Sequence, residues 1–323
     1  MEVIRLIVAV FVFGVTLGCA SGPEESQVVD AAADTPVVDV LSMSTKEISD
    51  RLVAADQALR NGRYAEAIEG YQQILSTFDT SSPSIELIRS SLLEAEYLSK
   101  DYDSALQTSQ EILDGDPSAE TIARALQRRY GIGLSFLGGA TRQVLGLSVS
   151  AEGKGLQVLD ELVEKYPFQP FADDAVYHIA SWYLDRGKYP EAEQLFQRLL
   201  RDYPTSPWTQ TAEYRIGEAA LQSLKGVEYD FGALDSAERR FKRYLKLSPA
   251  GDQAARARES LAEIEELRAE RWLMVAEFYI AFEQVEAARV YLRKLRENQP
   301  NTPEGRRAAR LWDNLGGGSD ATP

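Results

Sequence analysis

The loop that ends with Gly153, Lys154 and Gly155 is the stretch whose composition most suggests chemistry, because glycine-rich loops can cradle phosphate groups. A Walker A loop needs four residues between its glycines and a Ser or Thr directly after the lysine. In this chain six residues separate Gly146 from Gly153, and a glycine follows the lysine. The spacing therefore argues against nucleotide binding.

Carboxylates and the single histidine give no better support for catalysis. Asp173 and Asp174 are adjacent, so they point to different sides of a helix and suit a solvated face. His178 has no nucleophile or acid partner that the sequence identifies, which favours a packed or surface side chain. With one histidine and one cysteine, a His-rich metal site and an intramolecular disulfide are excluded. We predict no catalytic residues, no cofactor and no metal. The alternative is an enzyme site formed by residues from distant helical repeats, which are described below.

Cys19 ends an N-terminal stretch that has the composition of an export signal. Arg5 precedes an apolar run over residues 6–17, which is too short to span a bilayer comfortably. The stretch resembles a bacterial lipoprotein signal, in which the cysteine after a small residue is acylated. It departs from that pattern at Thr16, where leucine is usual, and an ordinary secretory signal is the alternative. The resemblance implies lipidation at Cys19 and, because Ala20 follows, location in the outer membrane.

Helical hairpins are the elements that position every other feature of the chain. Residues 172–204 read as two helices broken at residues 185–188, with apolar residues three and four apart. Ala180 and Ala192 are small where the helices must approach closely, and Pro204 ends the second helix because proline cannot continue it. This pattern resembles a tetratricopeptide repeat.

The pairing of a small residue with a proline twelve positions later recurs along the chain. The pairs are Ala105/Pro117, Gly155/Pro167, Ala192/Pro204, Ala237/Pro249 and Ala288/Pro300. A large apolar residue follows each small one by four positions, except at Ser109. A further copy around Gly62 lacks the proline. Since one hairpin cannot bury its own apolar face, the series predicts an all-α fold, a right-handed superhelical solenoid of about six tetratricopeptide-like hairpins with a concave groove.

Two repeats are longer than the others. About ten extra residues lie between the helices of the third repeat, in a glycine-rich stretch, and about eight lie in the fifth. Insertions of this kind usually form loops on one face, which often contacts a partner.

A tyrosine recurs in three successive first helices, at Tyr130, Tyr177 and Tyr214, each two residues before an isoleucine. In the repeats that the pattern resembles, this position lines the concave groove. Exposed tyrosines would suit an extended peptide, because each ring offers contact area with little entropy loss and a hydroxyl for backbone groups. The alternative is that the rings pack one first helix on the next. The remaining groove candidates are Ser181, Asp185 and Glu218.

The charge of the chain restricts its partners. The net charge is −15 and the isoelectric point is near 4.7. Binding a phosphate backbone requires clustered Lys and Arg, so nucleic acid is excluded as the expected partner. We expect protein partners instead.

Beyond its repeats, the chain resembles the BamD (YfiO) family of outer-membrane assembly lipoproteins over residues 155–316. The stretches that carry the resemblance are EKYPFQPFADDAVYHIASWYLDRGKYPEAEQLFQRLLRDYPTSP, VAEFY, QVEAARVYL and QPNTPEG. The resemblance implies a chain tethered through Cys19 to the outer membrane and facing the periplasm. Its C-terminal repeats would dock on a periplasmic domain of the barrel insertase, and its groove would receive unfolded barrel precursors.

The resemblance leaves an alternative and defines a predicted organisation. A general periplasmic scaffold such as the Tol-Pal-associated YbgF/CpoB group is the alternative, although that group has a coiled coil and no lipid anchor. The predicted segments are a signal peptide at 1–18, a flexible tether at 19–45, two additional repeats at 46–117, BamD-like repeats with a capping helix at 118–316, and a disordered tail at 317–323.

Overall fold

The computed structural model describes residues 45–77, 84–144, 146–224 and 231–316, which belong to one compact unit. The predicted signal peptide, nearly all of the tether, the tail and Cys19 lie outside the described residues. The predictions made for them therefore stay predictions.

The described residues form helices and one pair of strands. In chain order they are α1 (Thr45–Arg60), α2 (Tyr64–Leu75), α3 (Ser84–Ser99), α4 (Tyr102–Leu113), α5 (Ala119–Leu137), β1 (Thr141–Val144), β2 (Leu147–Ser150), α6 (Glu152–Lys165), α7 (Ala172–Asp185), α8 (Tyr189–Asp202), α9 (Thr209–Gln222), α10 (Phe231–Leu247), α11 (Ala254–Ala281), α12 (Val285–Asn298) and α13 (Pro303–Asn314).

Consecutive helices pack in pairs, which confirms the predicted all-α solenoid of about six hairpins. The pairs are α1 with α2, α3 with α4, α5 with α6, α7 with α8, α9 with α10, and α11 with α12, after which α13 packs on α12. The apolar core is accordingly divided into four clusters that follow one another along the chain. Each hairpin buries its apolar face against its neighbours, as repeat proteins do.

The small residues of the repeat are buried in the structure. Ala105, Ala180, Ala192, Ala237 and Ala288 are fully buried. At Gly217, which matches Ala180, an added Cβ would lie 2.9 Å from the ring of Phe241.

Four of the five prolines lie two residues beyond the last residue of a second helix. They are Pro167, Pro204, Pro249 and Pro300. Pro117 lies four residues beyond α4, which ends at Leu113.

Ser109, the residue that broke the repeat pattern, has a partner that the sequence did not reveal. It is fully buried in α4, and the buried Arg129 of α5 donates from Nη1 to Ser109 Oγ at 3.0 Å. Arg129 also lies 3.5 Å from a carboxylate oxygen of Glu161. A cationic side chain from the next repeat therefore contacts the small residue that stands at the repeat position of Phe196 and Phe241.

α11 is a single helix of 28 residues, whereas the sequence placed the first helix of the last repeat only around Trp272–Tyr279. Its first half contributes Ala257 and Ile264 to the cluster of α10, and its second half contributes Ala269 and Ala276 to the cluster of α12. Because the buried face changes along the helix, the sequence has no single apolar stripe from which the full length of α11 could be predicted. Despite this length, no helix in the described segments has the apolar run needed to cross a membrane.

The insertion in the third repeat is a β-hairpin rather than the loop that we predicted. β1 and β2 pair antiparallel, with Val144 opposite Leu147 and Gly146 in the turn at a φ of +79°. Arg142 Nε donates to Asp103 Oδ1 at 2.7 Å and fixes the hairpin to α4. The strands are four residues long and too short to show a period-2 pattern among the glycines.

Candidate protein-binding surfaces

Two of the three repeated tyrosines stack on the aromatic residue that precedes the next first helix. The ring of Tyr130 lies parallel to that of Phe171 with centroids 5.1 Å apart, and the ring of Tyr177 lies parallel to that of Trp208 at 3.9 Å. Burial, with smaller contributions from Asp174 and Asp173, raises the pKa of Tyr130 to about 12. These rings pack one repeat on the next and keep part of their surface exposed.

Tyr214 corrects the expectation of a continuous exposed ladder. Its side chain is buried between α9 and α10, with its ring 5.6 Å from Phe241 and 5.7 Å from Tyr244. Burial raises the pKa of its hydroxyl, which would otherwise ionise more easily in water. The packing alternative is the arrangement found here, because α9 turns this face toward α10.

The polar groove candidates do not form one site. Asp185 is exposed at the end of α7, and Ser181 Oγ, one turn earlier, is buried with no hydrogen-bond partner among the described residues. Glu218 belongs to the next repeat, where Arg215 Nη1 contacts its Oε2 at 2.7 Å. This ion pair neutralises the Glu218 carboxylate.

The groups considered for catalysis have structural partners. Lys154 lies in the first turn of α6 and donates from Nζ to Gln157 Oε1 at 3.2 Å. Asp174 accepts from Trp208 Nε1, and burial lowers the pKa of His178, which lies edge-on to Tyr177. Within the described residues, no group of three or more His, Cys, Asp and Glu side chains could hold a metal ion.

Sequence reasoning missed an exposed aromatic surface at the turn between α11 and α12. Phe278 and Phe282 are 56% and 63% exposed, and their ring centroids are 4.6 Å apart. Tyr279 continues the surface, because it lies 5.7 Å from Phe278 and stacks on Tyr291 of α12 at 5.9 Å. We call these four residues the α11–α12 aromatic surface. The sequence contained a sign of this surface, because aromatic residues four apart lie on the same face of a helix. The buried Ala276 lies on a different face.

The paired helices, with small residues where they cross and prolines after them, define a tetratricopeptide-repeat scaffold. A tetratricopeptide-repeat family model matches residues 52–120, and a second family model, described as outer membrane lipoprotein, matches residues 147–312. The chain belongs to this second family, YfiO. The family match begins in the β-hairpin and ends in α13, so the first two repeats lie outside it.

Several solved structures are similar to the chain at low sequence identity. PilW, described as a widely conserved type IV pilus biogenesis factor, is 16% identical, with 82% of this chain and 100% of that chain covered and a TM-score of 0.30. A tetratricopeptide repeat protein from Parabacteroides merdae is 15% identical, with 82% and 98% covered and a TM-score of 0.40. No curated protein matches the sequence.

Proposed function

We propose that the chain is a non-enzymatic scaffold lipoprotein of the outer-membrane β-barrel assembly machinery, anchored through Cys19 and facing the periplasm. Its last repeats dock on a periplasmic domain of the barrel insertase, and its earlier repeats receive unfolded barrel precursors. Membership of the YfiO family over residues 147–312 supports this assignment.

The observation that carries the docking step is the α11–α12 aromatic surface. A contiguous patch of large apolar side chains on a protein surface often marks a contact, and aromatic residues contribute strongly at the centres of protein interfaces. Phe278 and Phe282 lie next to each other at the end of α11, so a partner would cover both at once. This surface lies inside the family match.

The precursor contact is the second part of the proposal and involves the partly exposed rings of Tyr130 and Tyr177, with Asp185 at the end of the same helix as Tyr177. Replacing Tyr177 by Ala removes its stack on Trp208 and should weaken binding of a fluorescent peptide taken from an unfolded barrel strand. Tyr214→Ala is the contrasting variant, because its buried ring is expected to affect folding rather than peptide contact.

An affinity pull-down from gently solubilised outer membranes tests the docking step. We expect the full-length protein to recover a large β-barrel protein with soluble periplasmic domains, and the double variant Phe278→Ser/Phe282→Ser to lose it. Leu87→Ser is the matched control, because Leu87 is exposed to the same degree but lies in α3, outside the family match.

Two results would refute the proposal, the first its assignment to barrel assembly and the second its docking surface. Recovery of Tol-Pal or cell-wall proteins in place of the barrel protein would support the general periplasmic scaffold instead. Retention of the barrel protein by the double variant would show that docking uses another surface. A Cys19→Ala variant tests the anchor separately, since it should move the protein out of the membrane fraction.

A further inference from the structure

A cleft of about 620 Å³ between α8, α9 and α10 combines arginine and leucine side chains. Three arginines line it, Arg201 from α8 and Arg240 and Arg243 from α10. Two leucines, Leu200 and Leu247, lie in the same lining. We call it the arginine cleft.

A buried carboxylate holds two of these arginines in place. Glu213 of α9 is 2% exposed, and Arg240 Nη1 donates to its Oε2 at 2.8 Å. Arg243 Nε lies 3.0 Å from its Oε1. Each carboxylate oxygen therefore positions one guanidinium. Two cations share one anion, and the charge of the pair of arginines is only half neutralised.

Two of the three arginines, Arg201 and Arg243, are exposed enough to contact a ligand. Arg201 is 70% exposed in its side chain, and its ion pair is with the neighbouring Asp202 on the same helix end. Arg243 is 64% exposed, and Glu213 is its ion-pair partner in the part of the chain that the structure describes. Guanidinium groups bind carboxylates with two parallel hydrogen bonds, so exposed edges of this kind favour an acidic ligand.

α10, which forms one side of the cleft, is basic although the chain is strongly acidic. α10 contains five Lys and Arg residues and two acidic residues. Residues 231–316 carry 16 basic and 14 acidic residues, whereas residues 45–117 carry 6 and 14. An acidic partner would be repelled by the first two repeats and attracted here.

The two leucines in the lining favour a polypeptide over a small anion as the ligand of the cleft. Leu247 is 53% exposed at the end of α10, beside Arg243 in the lining. A phosphate or a free carboxylate would leave this apolar surface uncovered, whereas a peptide segment with alternating acidic and apolar side chains would cover both parts. The volume is also in the range of sites that enclose several residues or a drug-sized ligand.

We propose that the arginine cleft binds an acidic segment of a partner protein, with carboxylates on Arg201 and Arg243 and an apolar side chain against Leu200 and Leu247. Glu213 is a positioning residue, because it orients Arg240 and Arg243 without contacting the ligand. The proposal does not depend on the barrel-assembly role, since any partner with such a segment would fit.

Fluorescence anisotropy with the full-length chain in mild detergent tests the proposal. The probe is a fluorescein-labelled peptide of twelve residues that repeats Glu-Leu-Ser, and the matched peptide has Gln in place of every Glu. We expect the Gln peptide to bind about tenfold more weakly or worse, because charge-assisted hydrogen bonds to arginine are lost. Raising the salt concentration should weaken the Glu peptide far more than the Gln peptide.

Charge-reversal variants locate the site. Arg243→Glu and Arg201→Glu should each weaken the Glu peptide about tenfold, because each replaces an attraction by a repulsion. Arg310→Glu is the matched control on the exposed face of α13, with the same change of net charge, and it should leave binding within about twofold. If Arg243→Glu unfolds the chain by circular dichroism, Arg201→Glu decides, since its partner is the exposed neighbour Asp202.

Three results would overturn the proposal. Equal binding of the Gln peptide would show that charge does not recognise the ligand. Displacement of the peptide by millimolar inorganic phosphate would indicate a site for small anions. Tighter binding to phosphatidylglycerol vesicles than to the Glu peptide, lost in the same variants, would assign the cleft to a lipid surface.

Discussion

Glu96 and Glu213 are equally buried, each 2% exposed on the first helix of its repeat, and their surroundings differ completely. Glu213 contacts Arg240 and Arg243. Glu96, in α3, accepts a hydrogen bond from Thr108, and its Oε2 has no partner among the described residues. Burial, together with the charges of Asp101 and Glu111, raises the pKa of Glu96 to about 7.

The difference between these two carboxylates follows the charge of the repeats around them. The first two repeats, residues 45–117, have more than twice as many acidic as basic residues, and the charges that act on Glu96 are those of Asp101 and Glu111. Residues 231–316 have a small excess of basic residues, and two arginines of this segment pair with Glu213. The same fold thus holds a proton-binding carboxyl at one end and an ion-paired carboxylate at the other. The acidic end is outside the family match, and the basic end is inside it.

The largest expected effect is a pH dependence that comes from Glu96. In the unfolded chain its pKa is about 4.5, and in the folded chain it is about 7, so the stability that it contributes is fully present below pH 4.5 and is lost as pH rises to 7. The shift corresponds to a free energy of about 3 kcal/mol. Urea unfolding of the wild type and of Glu96→Gln at pH 4.5 and pH 8 measures it.

The comparison between the two proteins removes the contributions of all other titrating groups. Relative to the wild type, Glu96→Gln should become more stable as pH rises, by up to about 3 kcal/mol at pH 8. A stability difference that does not change with pH would mean that Glu96 ionises freely in the folded chain.

The opposite sign is expected at the basic end. Glu213→Gln removes the anion that Arg240 and Arg243 share and should lower the free energy of unfolding by about 2 kcal/mol, less than for a fully buried pair because Arg243 is largely solvated. Urea unfolding at pH 8 measures this loss beside the gain in Glu96→Gln. If both substitutions changed the free energy of unfolding in the same direction at pH 8, the two buried carboxylates would not differ in the way proposed here.

The turns inside the hairpins give a smaller effect at both ends. Gly62, Lys100, Gly187 and Glu283 each lie two residues before a second helix and have a φ between +58° and +74°. Only glycine adopts this conformation without a steric cost, so Lys100→Gly and Glu283→Gly should each raise the free energy of unfolding by about 0.5–1 kcal/mol.

The control for the turns reverses the substitution. Gly187→Ala introduces a Cβ at a φ of +70° and should destabilise the chain by about 1 kcal/mol. Thermal unfolding followed by circular dichroism compares the three variants. A loss of stability in Lys100→Gly would show that its side chain makes a contact worth more than the strain.

The smallest effect is expected at the α11–α12 aromatic surface. Phe282→Ser should change the free energy of unfolding by less than about 0.5 kcal/mol, because the ring is already 63% exposed. Urea unfolding checks this, and a larger loss would mean that the surface supports the fold rather than a partner.

Much of the fold was predictable because a repeat shows the same local requirement several times. The small residues, the prolines and the break at Gly187 appear in the sequence where the structure has close helix contacts, helix ends and a turn of positive φ. The length of α11 was not predictable, since its buried face changes between two clusters. The β-hairpin was not predictable either, because only its four-residue strands distinguish it from a loop.

The sites were harder to predict, because they depend on pairs of residues far apart in the chain. Glu213 and Arg240 are 27 positions apart, and Arg129 reaches Ser109 across 20. The recurring position of Tyr214 gave no sign that its ring is buried while that of Tyr177 stacks on Trp208. Repeat position fixes which helix a residue lies on, whereas burial depends on the residues of the neighbouring repeat.

Site-specific photocrosslinking in native membranes tests most directly the claim that the basic, family-like end docks on the barrel insertase. A photoreactive phenylalanine analogue would replace Phe282 in one variant and Leu87 in another. Both positions are exposed, and Phe282 lies inside the family match whereas Leu87 lies outside it. We expect a crosslink from position 282 to a large β-barrel protein with periplasmic domains, and none to it from position 87. A crosslink to that protein from position 87 alone, or only to Tol-Pal proteins from position 282, would contradict this claim.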